Sequence, residues 1–449
     1  MKKFLRITII MAMVLSLTAG SFGTAFAAAA PKVNAEAAMV YLATTDEIIW
    51  QKNSTQEMNP ASITKILTCL IAAEKLDINK EITVAKEATT VPLVERAVYE
   101  GEKRTVNELM HLALMVSAND AATALACEVA GSQKEFAKLM NAKAKELGCT
   151  NTNFVNASGV FNEKQHSCAK DIALIAAAAF SNPDVRRISG TSEYELPKSN
   201  KSSAKKLKNL NLFLEGGEIT INEEKTSAKK YKEVFAGKTG TTNTNKATMA
   251  AGMEWDGMEI YAVVLGTSQT YRYADMKKLF DYAKENVQRY DAFKAGDLFE
   301  EGSLLGGATN KVAGKAAADG ILNLPEGASA ALVSSKAVYN DDLYAPIVTG
   351  QVIGHVDVYL GDEIVRTVDL LAAEDVEEGW FLSKWGVTNL QTIFIVGGIV
   401  LVIGFIGLIM VLRAINKKKR KAARREKLKR MALQQMESDQ DHQQRDWPY

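Results

Sequence analysis

Ser62 and Lys65 are separated by two residues in the stretch Asn59-Pro60-Ala61-Ser62-Ile63-Thr64-Lys65. A serine hydroxyl is a weak nucleophile, and a neutral amine beside it can activate it by taking its proton. The stretch reads as a helix start, with Asn59 capping and Pro60 in the first helical position, where the missing N–H costs nothing. Three positions along a helix bring two side chains to one face, so the Lys65 amine can approach the Ser62 hydroxyl. The positive end of the helix dipole there favours an alkoxide and disfavours an ammonium. Ser-x-x-Lys on its own arises by chance in many chains.

Two further groups supply what such a nucleophile would need. Ser117-Ala118-Asn119 offers a hydroxyl and an amide ahead of an Ala-rich helical run at 121–130. It reads either as a helix cap or as a proton relay through Ser117, with Asn119 holding a substrate backbone. Lys238-Thr239-Gly240, followed by Thr241, precedes a strand-like segment. A cation and a hydroxyl suit a carboxylate, and the glycine lets another backbone come close. Taken singly, these are a cap and an ordinary turn. In this order they suit serine acyl transfer on a substrate that carries a carboxylate. The four histidines form no Ser-His-Asp arrangement, and C-x-x-C spacing is absent. No metal and no organic cofactor is implied.

The ordered set Ser-x-x-Lys, Ser-x-Asn, Lys-Thr-Gly is carried by penicillin-binding proteins and serine β-lactamases. With the wider wording Ser117-Ala118-Asn119-Asp120-Ala121-Ala122 and Phe154-Val155-Asn156-Ala157-Ser158-Gly159 ahead of His166 and Asp171, the chain resembles the low-molecular-weight D-alanyl-D-alanine carboxypeptidases over residues 35–378. The resemblance implies the β-lactamase/transpeptidase-like fold and a cycle in which Ser62 attacks the carbonyl between two terminal D-alanines of a peptidoglycan stem peptide. It makes Lys65 the general base and links Ser117 to Lys65 and Lys238 as the proton route to the leaving amine. Asn119 would position the stem. Lys238, Thr239 and Arg272 would bind the terminal carboxylate, and the N–H groups of Ser62 and Thr241 would form the oxyanion hole, with Gly240 between the two threonines. His166 is expected to be structural. β-Lactam antibiotics would be covalent inhibitors. Two departures are visible: residues 242–246 (Thr-Asn-Thr-Asn-Lys) lack the glycine usual after Lys-Thr-Gly-x-Thr, and the region 207–236 is longer than usual. A serine β-lactamase and a non-catalytic wall-binding scaffold are the competing readings.

The elements that position these residues follow from periodicity. Residues 38–42 and 48–51 read as a hairpin before the Ser62 helix, and 247–253 with 258–265 as a second hairpin turning at Asp256-Gly257. Mostly helix lies between them. This is an α/β (α+β) arrangement, one antiparallel sheet against a helical cluster. The stretches 197–208 and 223–232 read as exposed loops or hairpins. Beyond Asp291 the segments 330–338, 351–360 and 363–371, the last two joined by Gly361-Asp362, read as a small all-β domain. The expected division is a catalytic domain at 28–290 and a β domain at 291–380.

The two ends carry addresses. Lys2, Lys3 and Arg6 precede an apolar run at 7–17 and then Ala25-Phe26-Ala27, which reads as a signal peptide over 1–27. Residues 392–412 contain no charge and are long enough to cross a hydrocarbon core of about 30 Å. The stretch 413–430 holds eleven Lys or Arg against one acid, Glu426, so positive-inside places the tail 413–449 in the cytoplasm and the rest outside, on a single-pass cell-membrane anchor. Setting aside the three bases of the leader, and the twelve bases and five acids from Arg413 onward, 39 bases remain against 48 acids. An acidic ectodomain argues against nucleic acid as a partner. Cys69, Cys127, Cys149 and Cys168 allow three pairings, or none, as buried thiols.

Overall fold

The computed structural model describes residues 29–92, 95–221, 224–228, 230–324 and 327–443. The signal-peptide reading of 1–27 lies outside the described residues.

The first unit comprises Met1–Ala292 and Ile321–Val333. Its sheet is built from β1 (Ala37–Leu42), β2 (Glu47–Lys52), β3 (Val234–Thr241), β4 (Ala247–Trp255) and β5 (Met258–Thr267), in the order β2-β1-β5-β4-β3, all antiparallel. β1 is apolar at every position because both faces of the sheet are covered. Ala37, Met39 and Tyr41 face one core; Ala38, Val40 and Leu42 face the other. On the first face lie α1 (Lys65–Lys75), α2 (Val106–Met115), α3 (Asn119–Ala130), α4 (Gln133–Glu146), α5 (Ala169–Ser181) and α6 (Pro183–Ser189), which contribute Ile66, Leu70, Leu109, Ala121, Phe136, Ile172 and Val185 to its core. On the second lies α7 (Arg272–Asn286), packed through Met276, Leu279 and Phe280. The arrangement is an antiparallel sheet with a helical cluster.

Local chemistry explains the element ends. α2 begins in a reciprocal cap, Thr105 Oγ1 accepting from Glu108 N while Glu108 accepts from Thr105 N. β4 and β5 turn at Asp256-Gly257, both with positive φ, which matches the twist of a two-residue hairpin. The stretch 197–208 supplies one strand of the ribbon Glu193–Leu196 with Lys205–Lys208. The added length in 207–236 is a second ribbon, Gly217–Ile221 with Glu224–Ala228. Residues 321–333 return to the first unit because Ile321–Asn323 pairs with Arg289–Asp291 and Leu324 N donates to Gln288 O.

The second unit, Phe293–Gly320 and Ser334–Tyr449, holds a five-stranded sheet of β6 (Leu298–Ser303), β7 (Lys311–Ala316), β8 (Val333–Tyr339), β9 (Val352–Leu360) and β10 (Glu363–Ala372), ordered β6-β7-β10-β9-β8. Val368, Leu370 and Ala372 of β10 alternate inward with period two against Val356 and Val358 of β9. α8 (Asn389–Gln443) follows as one helix of 55 residues. Among the described residues it is the one helix long and apolar enough to cross a membrane, and it is compatible with a membrane anchor.

Candidate active site

The segment before Ser62 differs from a plain helix start. Asn59 Oδ1 accepts from Ala61 N (2.8 Å), Pro60 is helical, and Ala61 sits at φ +50°, so residues 61–64 form a 3-10 turn that feeds α1 at Lys65. A left-handed alanine costs on the order of 1–3 kcal/mol and persists only where surrounding structure imposes it. Here the restraint comes from two sides. Thr248 Oγ1 on β4 donates to Pro60 O (3.2 Å), and a Cβ on Gly240 would lie 2.3 Å from that hydroxyl. On the other side, a Cβ on Gly159 would lie 1.9 Å from Ala61 O and 3.0 Å from Ser62 N. The nucleophile's turn is therefore clasped between β3 and the 156–160 turn. Thr248→Val, which removes the bond to Pro60 O at nearly constant volume, is expected to lower stability by about 1 kcal/mol and slow acylation several-fold. Thermal melts and acylation rates check it, and unchanged acylation with lowered stability would confine Thr248 to a structural part.

The 156–160 turn is built by one side chain. Asn156 Oδ1 accepts from Ser158 N (3.2 Å) and Gly159 N (2.8 Å), and its Nδ2 donates to Val160 O (2.9 Å). Gln165 Oε1 accepts from Val155 N and Asn156 N, and Thr68 Oγ1 of α1 donates to Ala157 O (2.7 Å). The result aims the Ser158 carbonyl at Lys65. The family resemblance carried by residues 154–159 implies no part for Asn156 or Ser158. Asn followed three residues later by Gly is a turn signal that marks the place.

Lys65 Nζ contacts Ser62 Oγ (2.9 Å), Asn119 Oδ1 (2.8 Å) and Ser158 O (2.6 Å), and the side chain is fully buried. Burial, with the nearby Lys238 charge second, holds its pKa well below the usual lysine range. A neutral amine has two N–H donors and one lone pair. Asn119 Oδ1 and Ser158 O can only accept, so they take both donors, and the lone pair is left for the one partner able to donate, the Ser62 hydroxyl. The Asn119 amide is oriented by its other end, Nδ2 donating to Pro92 O (2.8 Å).

Ser117 stands at φ +63°, half-buried on the cleft wall just before α3. Among the described residues no hydrogen bond joins its hydroxyl to Lys65 or Lys238. Lys65 is occupied by the three oxygens above, and Lys238 Nζ donates to Thr239 O (2.8 Å). Asp120, next along, is buried and accepts from Ala97 N (2.8 Å) and Val98 N (3.0 Å), fastening the cleft rim to α3.

β3 is an edge strand, so the backbone at Lys238-Thr239-Gly240-Thr241 has one side free of sheet pairing. Lys238 is 1% exposed, and burial, then the Arg272 charge, lowers its pKa to about 7. Arg272, the first residue of α7, donates Nη1 to Gly240 O (3.2 Å), while its buried Nε has no partner among the described residues. Ser62, Ser117, Asn119, Thr239, Gly240, Thr241 and Arg272 all border one open cleft of about 890 Å³. Lys205, Lys206 and Lys208 of the 205–208 strand also line it, with exposed Phe161 and Leu210. The polar link 242–246 closes without glycine because Asn245 takes the left-handed position (φ +60°) and donates N to Thr242 O (3.0 Å).

His166 lies off the cleft, bridged to Asn153 and 3.8 Å from Glu57. Asp171 is buried and accepts from Asn151 N and Thr152 Oγ1 at 2.7 Å, holding the turn ahead of α5. All four cysteines are free thiols. Burial raises the Cys69 thiol to about 12 and the Cys168 thiol to about 11.

The family described as D-alanyl-D-alanine carboxypeptidase matches residues 24–269, and the C-terminal domain of penicillin-binding protein 5 matches residues 288–378. D-alanyl-D-alanine carboxypeptidase DacF of Bacillus subtilis is 28% identical over 355 residues, covering 78% of this chain and 87% of the relative. DacC of Escherichia coli, of the same description, is 29% identical over 379 residues, covering 80% and 90%. Penicillin-binding protein 5 of Haemophilus influenzae shares the fold, with a TM-score of 0.63 at 24% identity over 78% of this chain and 99% of that one. The chain belongs to the D-alanyl-D-alanine carboxypeptidase family and is a serine hydrolase of that activity.

Proposed function

We propose that this enzyme removes the terminal D-alanine of peptidoglycan stem peptides with Ser62 as nucleophile and Lys65 as general base. The observation that carries the assignment is the buried Lys65 amine, whose two acceptor partners leave its lone pair for Ser62. As Ser62 Oγ bonds to the penultimate carbonyl carbon, its proton passes to Lys65. The carbonyl oxygen becomes an oxyanion facing the N–H groups of Ser62 and Thr241. The C–N bond then breaks, and the proton that Lys65 took passes by way of the Ser117 hydroxyl on the cleft wall to the leaving D-alanine amine, which leaves Lys65 neutral again. Water attacks the Ser62 ester, returning its proton through Lys65 and releasing the shortened stem. The stem lies along the open edge of β3 as an added strand. Lys238, Thr239 and the guanidinium of Arg272, which borders the cleft, receive the terminal carboxylate.

A β-lactam, which presents a strained amide and a carboxylate in the same relation, would acylate Ser62. A serine β-lactamase would also need a carboxylate to drive deacylation. Among the described residues lining the cleft the one acid is Glu95, exposed on its rim. The span at 392–412 with its basic stretch 413–430 favours a tail in the cytoplasm and both units outside.

Carboxylate recognition is tested with a stem peptide ending in D-Ala-D-Ala and the same peptide amidated at its C-terminus. The free acid is expected to release D-alanine and the amide to be cut at least about 100-fold less well, in line with loss of a charge-assisted pair. Equal cleavage of the two would sink the assigned role of Lys238, Thr239 and Arg272. The pH profile is set by two lysines of opposite requirement. Catalysis needs Lys65 neutral, so kcat climbs with pH on the acid side, at pH values well below the usual lysine range. Carboxylate binding needs Lys238 charged, so above about pH 7 the site must take up a proton to bind, and KM rises with pH. Steady-state kinetics across pH check both limbs, and Lys238→Met is expected to remove the rise in KM.

A further inference from the structure

Trp380, Phe381 and Trp385 of the second unit are 52%, 66% and 74% exposed. Their backbone is held in place. Gly379 N donates to Gly306 O (2.7 Å), Gly306 N to Ser383 O (2.9 Å) and Ser383 N to Trp380 O (2.8 Å), with Ser383 itself buried. Leu305 and Tyr344, both exposed, are joined by a β-bridge beside this segment. Five large apolar side chains therefore share one ledge of folded backbone.

The ledge is fastened to the start of α8. Asn389 Oδ1 accepts from Trp380 N (2.8 Å), and Asn389 N donates to Ala308 O (3.1 Å). Trp385 is four residues from Asn389, a reach of at most about 14 Å. A bilayer entered by the apolar part of α8 has an interfacial layer several ångströms deep on each side of its core, so it lies within that reach. Tryptophan and tyrosine favour this layer because their rings are apolar with one polar edge. The neighbouring charges, Glu374, Asp375, Glu377 and Glu378 against Lys384, do not form a basic surface for anionic headgroups. Apolar burial, not charge, is the attraction the ledge offers.

We propose that Leu305, Tyr344, Trp380, Phe381 and Trp385 form a membrane-docking surface that seats the second unit in the interface of the bilayer crossed by α8, an inference that rests on α8 as a membrane span. The test uses the full chain in phosphatidylcholine vesicles, with acyl chains brominated either close to the headgroup or near the bilayer centre. Vesicle flotation reports α8, and tryptophan emission reports the ledge. The expected result is strong quenching by the shallow bromines, weak quenching by the deep ones and no change in high salt. In the conservative surface variant Trp380→Phe with Trp385→Phe, that quenching is lost while flotation and D-alanine release remain. Flotation with emission equal in brominated and plain vesicles would overturn the docking surface alone. Failure to float would overturn it together with the span.

Discussion

Ser62→Ala and Lys65→Met each lower the rate of D-alanine release by a factor on the order of 10⁴ or more, and the double variant is no worse than the poorer single. Residues that act as one unit lose their joint effect when either is removed, so their costs do not add. The two variants separate in what they leave behind. Lys65→Met keeps the hydroxyl clasped by the turn at 61–64, without a base to take its proton, and so acylates slowly with a reactive β-lactam. Ser62→Ala keeps the buried amine and never acylates. Methionine matches the lysine stem in length, although Asn119 Oδ1 and Ser158 O lose their donor at a cost of about 1–3 kcal/mol each. Against this, the variant no longer buries an amine. Circular dichroism is expected to show a native fold in both variants. A Lys65→Met enzyme with near-native kcat would remove lysine from the chemistry.

Gly159→Ala is the second large effect, and it acts without removing a polar group. The residue has φ +80°, and an added methyl would meet Ala61 O at 1.9 Å, a distance no relaxed structure tolerates. Either the 156–160 turn or the nucleophile's turn must retreat. A displacement near 1 Å of a reacting group costs about 100-fold in rate, so kcat/KM is expected to fall about 100-fold, with a loss of stability of about 1–3 kcal/mol. Gly148→Ala is the control: its φ is +81°, yet nothing lies within 4 Å of the new methyl. It is expected to lose about 1 kcal/mol of stability and no acylation rate. If both variants acylate at the parent rate, the clasp on Ser62 is not what positions the nucleophile.

What could be read from the sequence was what is local. Ser62 and Lys65 are three positions apart, the spacing at which a helical turn brings two side chains to one face, and their Oγ and Nζ lie 2.9 Å apart. The β4-β5 hairpin declared itself through Asp256-Gly257 between two apolar runs, and β9-β10 did so through Gly361-Asp362. What escaped depends on chain returning from far away. Asn119 reaches Lys65 across 54 residues and the Ser158 carbonyl across 93, and a backbone carbonyl carries no residue-type signal. The left-handed Ala61 escaped for the same reason: alanine has no preference for that region, and Thr248 and Gly159 impose it from outside. β6 was hidden because Leu298-Phe299-Glu300-Glu301-Gly302-Ser303 has neither period-two alternation nor an apolar run. Ser117 was visible by its spacing ahead of an Ala-rich helical run, and it stands on the cleft wall with no hydrogen bond to either lysine among the described residues.

The measurement that tests the account most directly is the intact mass of the purified protein after brief exposure to benzylpenicillin, run beside Ser62→Ala, with D-alanine release from a stem peptide followed in the same preparations. One drug adduct is expected on the parent protein, mapped to the peptide containing Ser62, with none on Ser62→Ala and D-alanine release by the parent alone. An adduct or D-alanine release that survives Ser62→Ala would contradict it, as would rapid drug hydrolysis that leaves no adduct and releases no D-alanine.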